Sequence, residues 1–231
     1  RGWVFGRFGW AIPQRPHQAG DRGPGLVRAL RDQDNWVSAL AAEALGQMGD
    51  SADGAIPALV RCLGHVNAQV RGNAACALGK MGEAAAAAQP ALEKASLDED
   101  GGVRSQAVRA LGMVGRPTPA SEQVVLAGLQ DADPLVRAAA VESLGQWGEP
   151  SAAALVGLAP LLEDANDQVK VEAARVLPRL AGATPAVIDA LCRRLLQDDS
   201  AWVQVHAALA LGKLGAAAAA AGGALLRATQ T

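Results

Sequence analysis

Three histidines and three cysteines are the only imidazoles and thiols in the 231-residue chain, and their spacing favours neither metal nor nucleophile chemistry. His17, His65 and His206 lie in three unrelated contexts, without the His-Glu-x-x-His spacing that sets two ligands on one helical face. Cys62, Cys76 and Cys192 form no Cys-x-x-Cys pair and are odd in number, so they read as small buried hydrophobes in a reducing compartment. No strand pattern is present to carry a glycine loop that would cradle phosphate. The sequence therefore predicts no catalytic residue, no metal site and no cofactor. What remains is charge and aromatic surface. An acidic residue recurs at Asp32, Asp98, Asp131, Asp164 and Asp198, with His65 in the one remaining place. Six positions after these turn residues a basic side chain follows in four cases, at Arg71, Arg104, Arg137 and Lys170. Trp36 and Trp202 share one register, and Trp3, Phe5, Phe8 and Trp10 crowd the first ten residues.

The elements that must position these residues repeat about every 33 positions. Leu45, Leu78, Leu111, Leu144, Leu177 and Leu211 end an Ala-Leu-Gly-like phrase, and Val37, Val70, Val103, Val136, Val169 and Val203 lie eight residues before each leucine. A fixed period of this length means stacked supersecondary units, none able to bury its apolar face alone. Each unit reads as two helices and a turn. In the fourth, Ser121 to Leu129 is a first helix, Gln130 to Asp133 a turn, and Pro134 opens a second helix bearing Val136, Ala140 and Leu144 on one face. Gly46, Gly79, Gly112, Gly145 and Gly212 are expected to end second helices in the left-handed conformation. Pro178 cannot adopt it, which predicts an altered helix end and a change of superhelix pitch between the fifth and sixth units. Pro24, Pro57 and Pro90 would bend or start first helices, and the alanine runs 84–88 and 216–221 would begin them.

The first-helix proline, the turn aspartate and the Val-Arg that precedes Ala-Leu-Gly together resemble HEAT repeats, specifically the short HEAT-like, phycobilisome-lyase-type class, over roughly residues 22–228. The resemblance implies an all-α, right-handed α-solenoid of six to seven two-helix repeats, with first helices convex and second helices lining the concave side. Second helices are expected near 35–46, 68–79, 101–112, 134–145, 167–180 and 201–212, with a terminal half repeat over 215–228. In such arrays Asp and Arg form a ladder tying turns to neighbouring helices. That role for Asp32, Asp98, Asp131, Asp164, Arg71, Arg104, Arg137 and Lys170 is favoured over a phosphate-gripping stripe, because a neutralised ladder cannot also hold nucleic acid. His65, in the ladder place opposite Arg71, reads as a tolerated turn residue more readily than as a pH switch. The histidine–glutamate doublets of the HEAT-like di-iron hydroxylases are absent.

Register also predicts which residues face outward. They are the two before each valine and those two, three and six after it, for example Asn35, Trp36, Ala39, Leu40 and Glu43 in the first unit and Pro134, Leu135, Ala138 and Glu142 in the fourth. In the sixth they are Trp202, Val205, His206 and Leu209. The set is mixed in charge and apolar at its ends, as a protein-binding surface is, so Trp36, Leu135, Trp202 and His206 are candidate partner contacts. Each tryptophan could instead lie flat on its own turn. Trp147 falls where other units carry Met48, Met81, Val114, Leu180 and Leu214, so it belongs to the core.

Residues 1–20 form a basic, aromatic arm with glycine between the rings. Trp3, Phe5, Phe8 and Trp10 are a cap over the open edge of the first unit, an anchor into a partner or membrane interface, or disordered. A formal charge of −2 gives no global attraction to nucleic acid, and the longest apolar stretch, 214–226, falls short of the roughly 20 residues of a membrane span. Membrane contact is expected only through the arm or a partner. The first residue is Arg1 instead of Met, as expected of a fragment or a processed end. Three readings follow. The leading one is a non-enzymatic scaffold or accessory subunit that binds protein partners, within a larger complex, in a reducing compartment that is cytoplasmic or organellar. The others are a structural subunit of an organellar membrane complex and a subunit like the E/F-type bilin lyases.

Overall fold

The computed structural model describes residues 3–5, 11–13, 23–148, 151–181, 184–216 and 218–219. Twelve α-helices among them alternate in two layers. First helices are α1 (Gly23–Ala29), α3 (Ile56–Cys62), α5 (Gln89–Ala95), α7 (Pro119–Gly128), α9 (Ala152–Leu158) and α11 (Pro185–Gln197). Second helices are α2 (Asn35–Met48), α4 (Ala68–Lys80), α6 (Gly101–Met113), α8 (Pro134–Trp147), α10 (Asp167–Leu180) and α12 (Ala201–Leu214). The chain is thus an α-solenoid of six helix pairs. The half unit expected over 215–228 lies, apart from its first residues, outside the described residues.

Local sequence sets the helix starts. Asp34, Asn67, Asp100, Asp133 and Asn166 cap second helices, each side chain accepting from a backbone N–H of the first turn. Pro57 and Pro90 begin α3 and α5, as expected. The alanine run 84–88 forms a 3₁₀ turn leading into α5 and is not yet its α-helix. In the arm, glycine between aromatics gives short strands, which the sequence did not predict: β1 (Trp3–Phe5) pairs antiparallel with β2 (Ala11–Pro13).

The glycines of the Ala-Leu-Gly phrase do not end their helices. Positive φ falls three residues later, at Gly49, Gly82, Gly115, Gly148 and Gly215. The earlier glycines serve helix approach instead. A Cβ on Gly46 would sit 2.7 Å from the Ala77 Cα, one on Gly79 3.0 Å from the Ala110 Cα, and one on Gly112 2.6 Å from the Ser143 Cα. Missing side chains let successive second helices touch backbone to backbone. Second helices consequently stack closely while first helices meet only sparsely, which places the second helices on the inner, shorter arc. The stacking is closest from α2 to α8 and looser beyond. There Gly145 meets the branched Val176 in place of an alanine or serine, and α10 runs through a buried Pro178 where the next glycine would be.

Leu45, Leu78, Leu111, Leu144 and Leu177 are buried between the layers, with Val70, Val103, Val136, Val169 and Val203. Trp147 packs partly buried against this core, as its register predicts. Among the described residues no helix is long and apolar enough to cross a membrane.

Candidate protein-binding face

A face spread over six helices is only as rigid as the joints between them, and the ladder residues make those joints. Arg71 donates twice to Asp98, both bonds 2.7 Å. Arg104 holds Asp131 at 2.9 Å twice, and Arg137 holds Asp164 at 2.7 Å twice. Lys170 reaches both oxygens of Asp198, at 3.0 and 2.9 Å. Every rung joins a second helix to the turn of the following unit. The remaining guanidinium nitrogen of each arginine donates to two carbonyls of its own turn, as Arg104 does to Asp98 and Glu99. The carboxylate also accepts from the backbone N–H two residues on, as Asp131 does from Asp133 at 2.8 Å. One side chain pair therefore locks two turns and one helix start.

This direction of pairing corrects the expectation for His65, which does not stand opposite Arg71. Its rung partner is the first unit's Ser38, and Asp32 has no arginine behind it. Ser38 donates instead to the Asp32 carbonyl, at 3.1 Å. The His65 Nδ1 accepts from the Asn67 N–H at 3.1 Å, the same turn bond that aspartate makes elsewhere. Both ends of this rung are uncharged when His65 is neutral.

The guanidinium bonds of Arg71 and Arg104 hold Asp98 and Asp131 below the usual carboxylate range. At Asp164 and Asp198 burial pushes upward, but the bonds from Arg137 and Lys170 and the turn N–H groups outweigh it, and both carboxyls are likewise lowered. A depressed native pKa contributes stability that is present above the unfolded carboxylate value and is lost as pH falls through the native one. The unfolding free energy should therefore hold from pH 7 to about pH 5 and fall steeply below about pH 4. Urea titrations across that range check this; an acid-side loss unchanged by removing the ladder aspartates would exclude them as its cause.

On this frame Trp36, Leu135 and Trp202 project from the first turns of α2, α8 and α12 in one register. Trp36 is 68% and Trp202 64% exposed. The tryptophans are five helix steps apart, about 40–50 Å along the stack. The Trp202 ring lies 5.1 Å from that of His206, tilted by 49°, so these two predicted residues meet while the others stay separate. The middle of the face is polar and self-neutralised. Gln69 bonds Asn73 at 2.8 Å, Asn73 reaches the Ala39 carbonyl, and Arg109 pairs with Glu142 of the next unit at 2.6 Å. The residues two after each valine depart from the expected register. Ala39, Gly72, Ser105, Ala138 and Val171 are buried against the following helix, and only Val205 at the end is exposed. Of the arm, Trp3 and Phe5 fall in β1, while Phe8 and Trp10 lie outside the described residues. Among the described residues no group of His, Cys, Asp and Glu gathers as metal ligands would.

A sequence model of HEAT repeats matches residues 23–112, 88–159 and 155–228. No curated protein matches the chain. Among solved structures, an engineered protein is 24% identical, with a TM-score of 0.60 over 85% of this chain and 97% of that one. The complex of CpcE and CpcF of phycocyanin lyase from Nostoc sp. PCC7120 is 25% identical, with a TM-score of 0.60 over 90% of this chain and 80% of that one. Computationally designed armadillo repeat proteins for modular peptide recognition share 20% identity and a TM-score of 0.58, over 83% of this chain and 99% of that one.

Proposed function

Because the chain belongs to the HEAT-repeat family, we propose that it is a non-enzymatic scaffold or accessory subunit that holds a partner protein along its inner face. The observation that carries this reading is the pair of exposed tryptophans at matching positions of the first and last units, on a layer whose charges are already satisfied. A surface with neutralised charge and isolated apolar anchors gains little from phosphate or other anions, and gains most by burying the anchors in a partner's pockets. Leu135 between them supplies a third contact, and His206 supports the Trp202 ring. The armadillo designs, made for modular peptide recognition, support an elongated partner segment laid across the helices.

The test is capture from native extract followed by titration of the captured protein. Trp36→Ala and Trp202→Ala should each weaken binding by more than about 1 kcal/mol with helicity intact. Binding unchanged in both variants sinks the reading. Deleting residues 1–20 separates the roles of the arm: lost association at an unchanged melting temperature makes it an anchor, and a melting temperature lower by several degrees makes it a cap.

A second reading has one observation in its favour, the likeness to the phycocyanin lyase complex. It makes this chain a chromophore-lyase-like subunit. Mixing the protein with free bilin should then produce a shifted visible absorbance that follows the protein through gel filtration; bilin eluting separately excludes it.

A further inference from the structure

The two ends of the solenoid carry complementary halves of the interface that joins its interior units. Each interior second helix offers a forward face, built from the residues two, five and nine after the unit valine, to the helix that follows. It offers a backward face, built from the valine itself and the residues three and seven after it, to the helix before. Within the array these faces interlock. Gly46 receives Ala77, Gly79 receives Ala110, and Gly72 approaches the Val103 Cγ2 at 4.0 Å. Ser143 donates to the Val108 carbonyl across the same kind of joint, at 2.8 Å.

At the ends both faces are uncovered. On the forward face of α12, Val205 is 56% exposed, Ala208 is exposed, and nothing lies within 4 Å of a Cβ built on Gly212. Leu209 beside them is 55% exposed. On the backward face of α2, Val37 is 37% exposed, whereas Val70, Val103, Val136, Val169 and Val203 are buried. Leu40 is exposed, and Ala44, the counterpart of the buried Ala77 and Ala110, is only partly covered.

We propose that α12 of one chain docks on α2 of a second copy, continuing the stack head to tail. Gly212 then receives Ala44 as Gly79 receives Ala110, and Val205 meets Val37. Trp202 and Trp36, separated by the length of one solenoid, become neighbours one helix step apart, about 8–10 Å, on a continuous inner face. The rung at this joint differs from the interior ones. Gln204 stands where Arg71, Arg104 and Arg137 stand, and it keeps the bond to its own turn, donating to the Asp198 carbonyl at 2.7 Å. Facing it is Asp32 of the second copy, which accepts from the Asp34 N–H at 2.9 Å as the ladder aspartates do. An amide replaces a guanidinium here, so the joint lacks the charged clamp and is weaker than those inside the chain. Such reversible association is heterologous, and it extends or closes into a ring according to the rotation per copy.

Sedimentation velocity over a concentration series tests this with folded variants on either face. Gly212→Leu adds a side chain where the chain itself has open space and raises helix propensity, so it folds. Leu40→Asp charges the backward face at an exposed site. The wild type should grow from 23.5 kDa to multiples of that mass as concentration rises, and each variant alone should associate at least tenfold more weakly. Mixed together, the two variants each retain one intact face and should form a one-to-one pair and nothing larger. A wild type monomeric at every concentration, a Gly212→Leu chain that associates like wild type, or a mixture that stays monomeric overturns the proposal. A symmetric dimer fails the mixing arm and is excluded by a one-to-one pair.

Discussion

Gly112→Val should cost at least about 3 kcal/mol and should split the unfolding of the chain into two transitions. A Cβ at Gly112 would lie 2.6 Å from the Ser143 Cα, 2.7 Å from its Cβ and 2.7 Å from its Oγ. The nearest obstacle is a helix backbone, which cannot rotate aside as a side chain can, so α6 and α8 must move apart along their whole contact. That separation also breaks the Ser143 bond to the Val108 carbonyl. The gain in helix propensity on replacing glycine is below about 1 kcal/mol for valine and does not offset these losses. In a solenoid each unit touches only its neighbours, so a failed joint in the middle divides the array into two segments that unfold separately. Urea unfolding followed by circular dichroism should show a lower first midpoint and a reduced apparent slope. Gly212→Ala, in the same sequence phrase but with no following helix, should be neutral or slightly stabilising. If both substitutions gave the same small effect, close approach would not be the reason for these glycines.

The contrast between Gly112 and Gly212 also marks where the sequence became hard to read. Period, helix pairing, capping residues and the leucine and valine core were legible, because each follows from spacing along a single helix. Two features depend on which helix comes next and were misread. The glycine after each leucine looks like a helix end, since glycine favours positive φ. A second glycine three residues later, at Gly49, Gly82, Gly115, Gly148 and Gly215, carried the true terminus at the same period and was available as a signal. Likewise the residue two after each valine lies on the outer side of an isolated helix, and only stacking turns Ala39, Ser105 and Ala138 inward. The ladder was found, but its direction was not, because arginine lies six residues after one aspartate and 27 before the next. The paired departure of Ser38 and His65, one unit apart, held that information. Removing charge at both ends of one rung makes sense only if those two positions face each other. Trp36 and Trp202 were legible as exposed because they precede the stacked part of their helices.

Removing a single rung should be the other large effect. Arg137→Ala is expected to cost about 3–5 kcal/mol, since it leaves a carboxylate nearly out of water without its main partner. The Asp164 side chain is only 7% exposed and the Arg137 side chain 17%. The loss extends beyond the two bonds to Asp164, because the same guanidinium donates to the Asp131 carbonyl at 2.9 Å and the Ala132 carbonyl at 3.1 Å. Asp164 would keep the Asn166 N–H at 2.8 Å and little else. Its pKa must then rise, so the variant's deficit should be full at neutral pH and shrink as the medium becomes acidic enough to protonate Asp164 in the wild type too. Arg137→Met combined with Asp164→Leu should cost less than Arg137→Ala alone, because no charge is then left buried and unpaired. A deficit independent of pH, or a double variant as unstable as the sum of the singles, would show that the arginine acts through its apolar stem and the turn carbonyls, with the ion pair incidental. The measurement bears on function through rigidity. Five helix steps separate Trp36 from Trp202, and an anchor pair held that far apart retains its spacing only while every joint between them stays closed. Arg137→Ala should therefore weaken partner binding through loss of that spacing, although the side chain itself lies at the joint and not on the inner face.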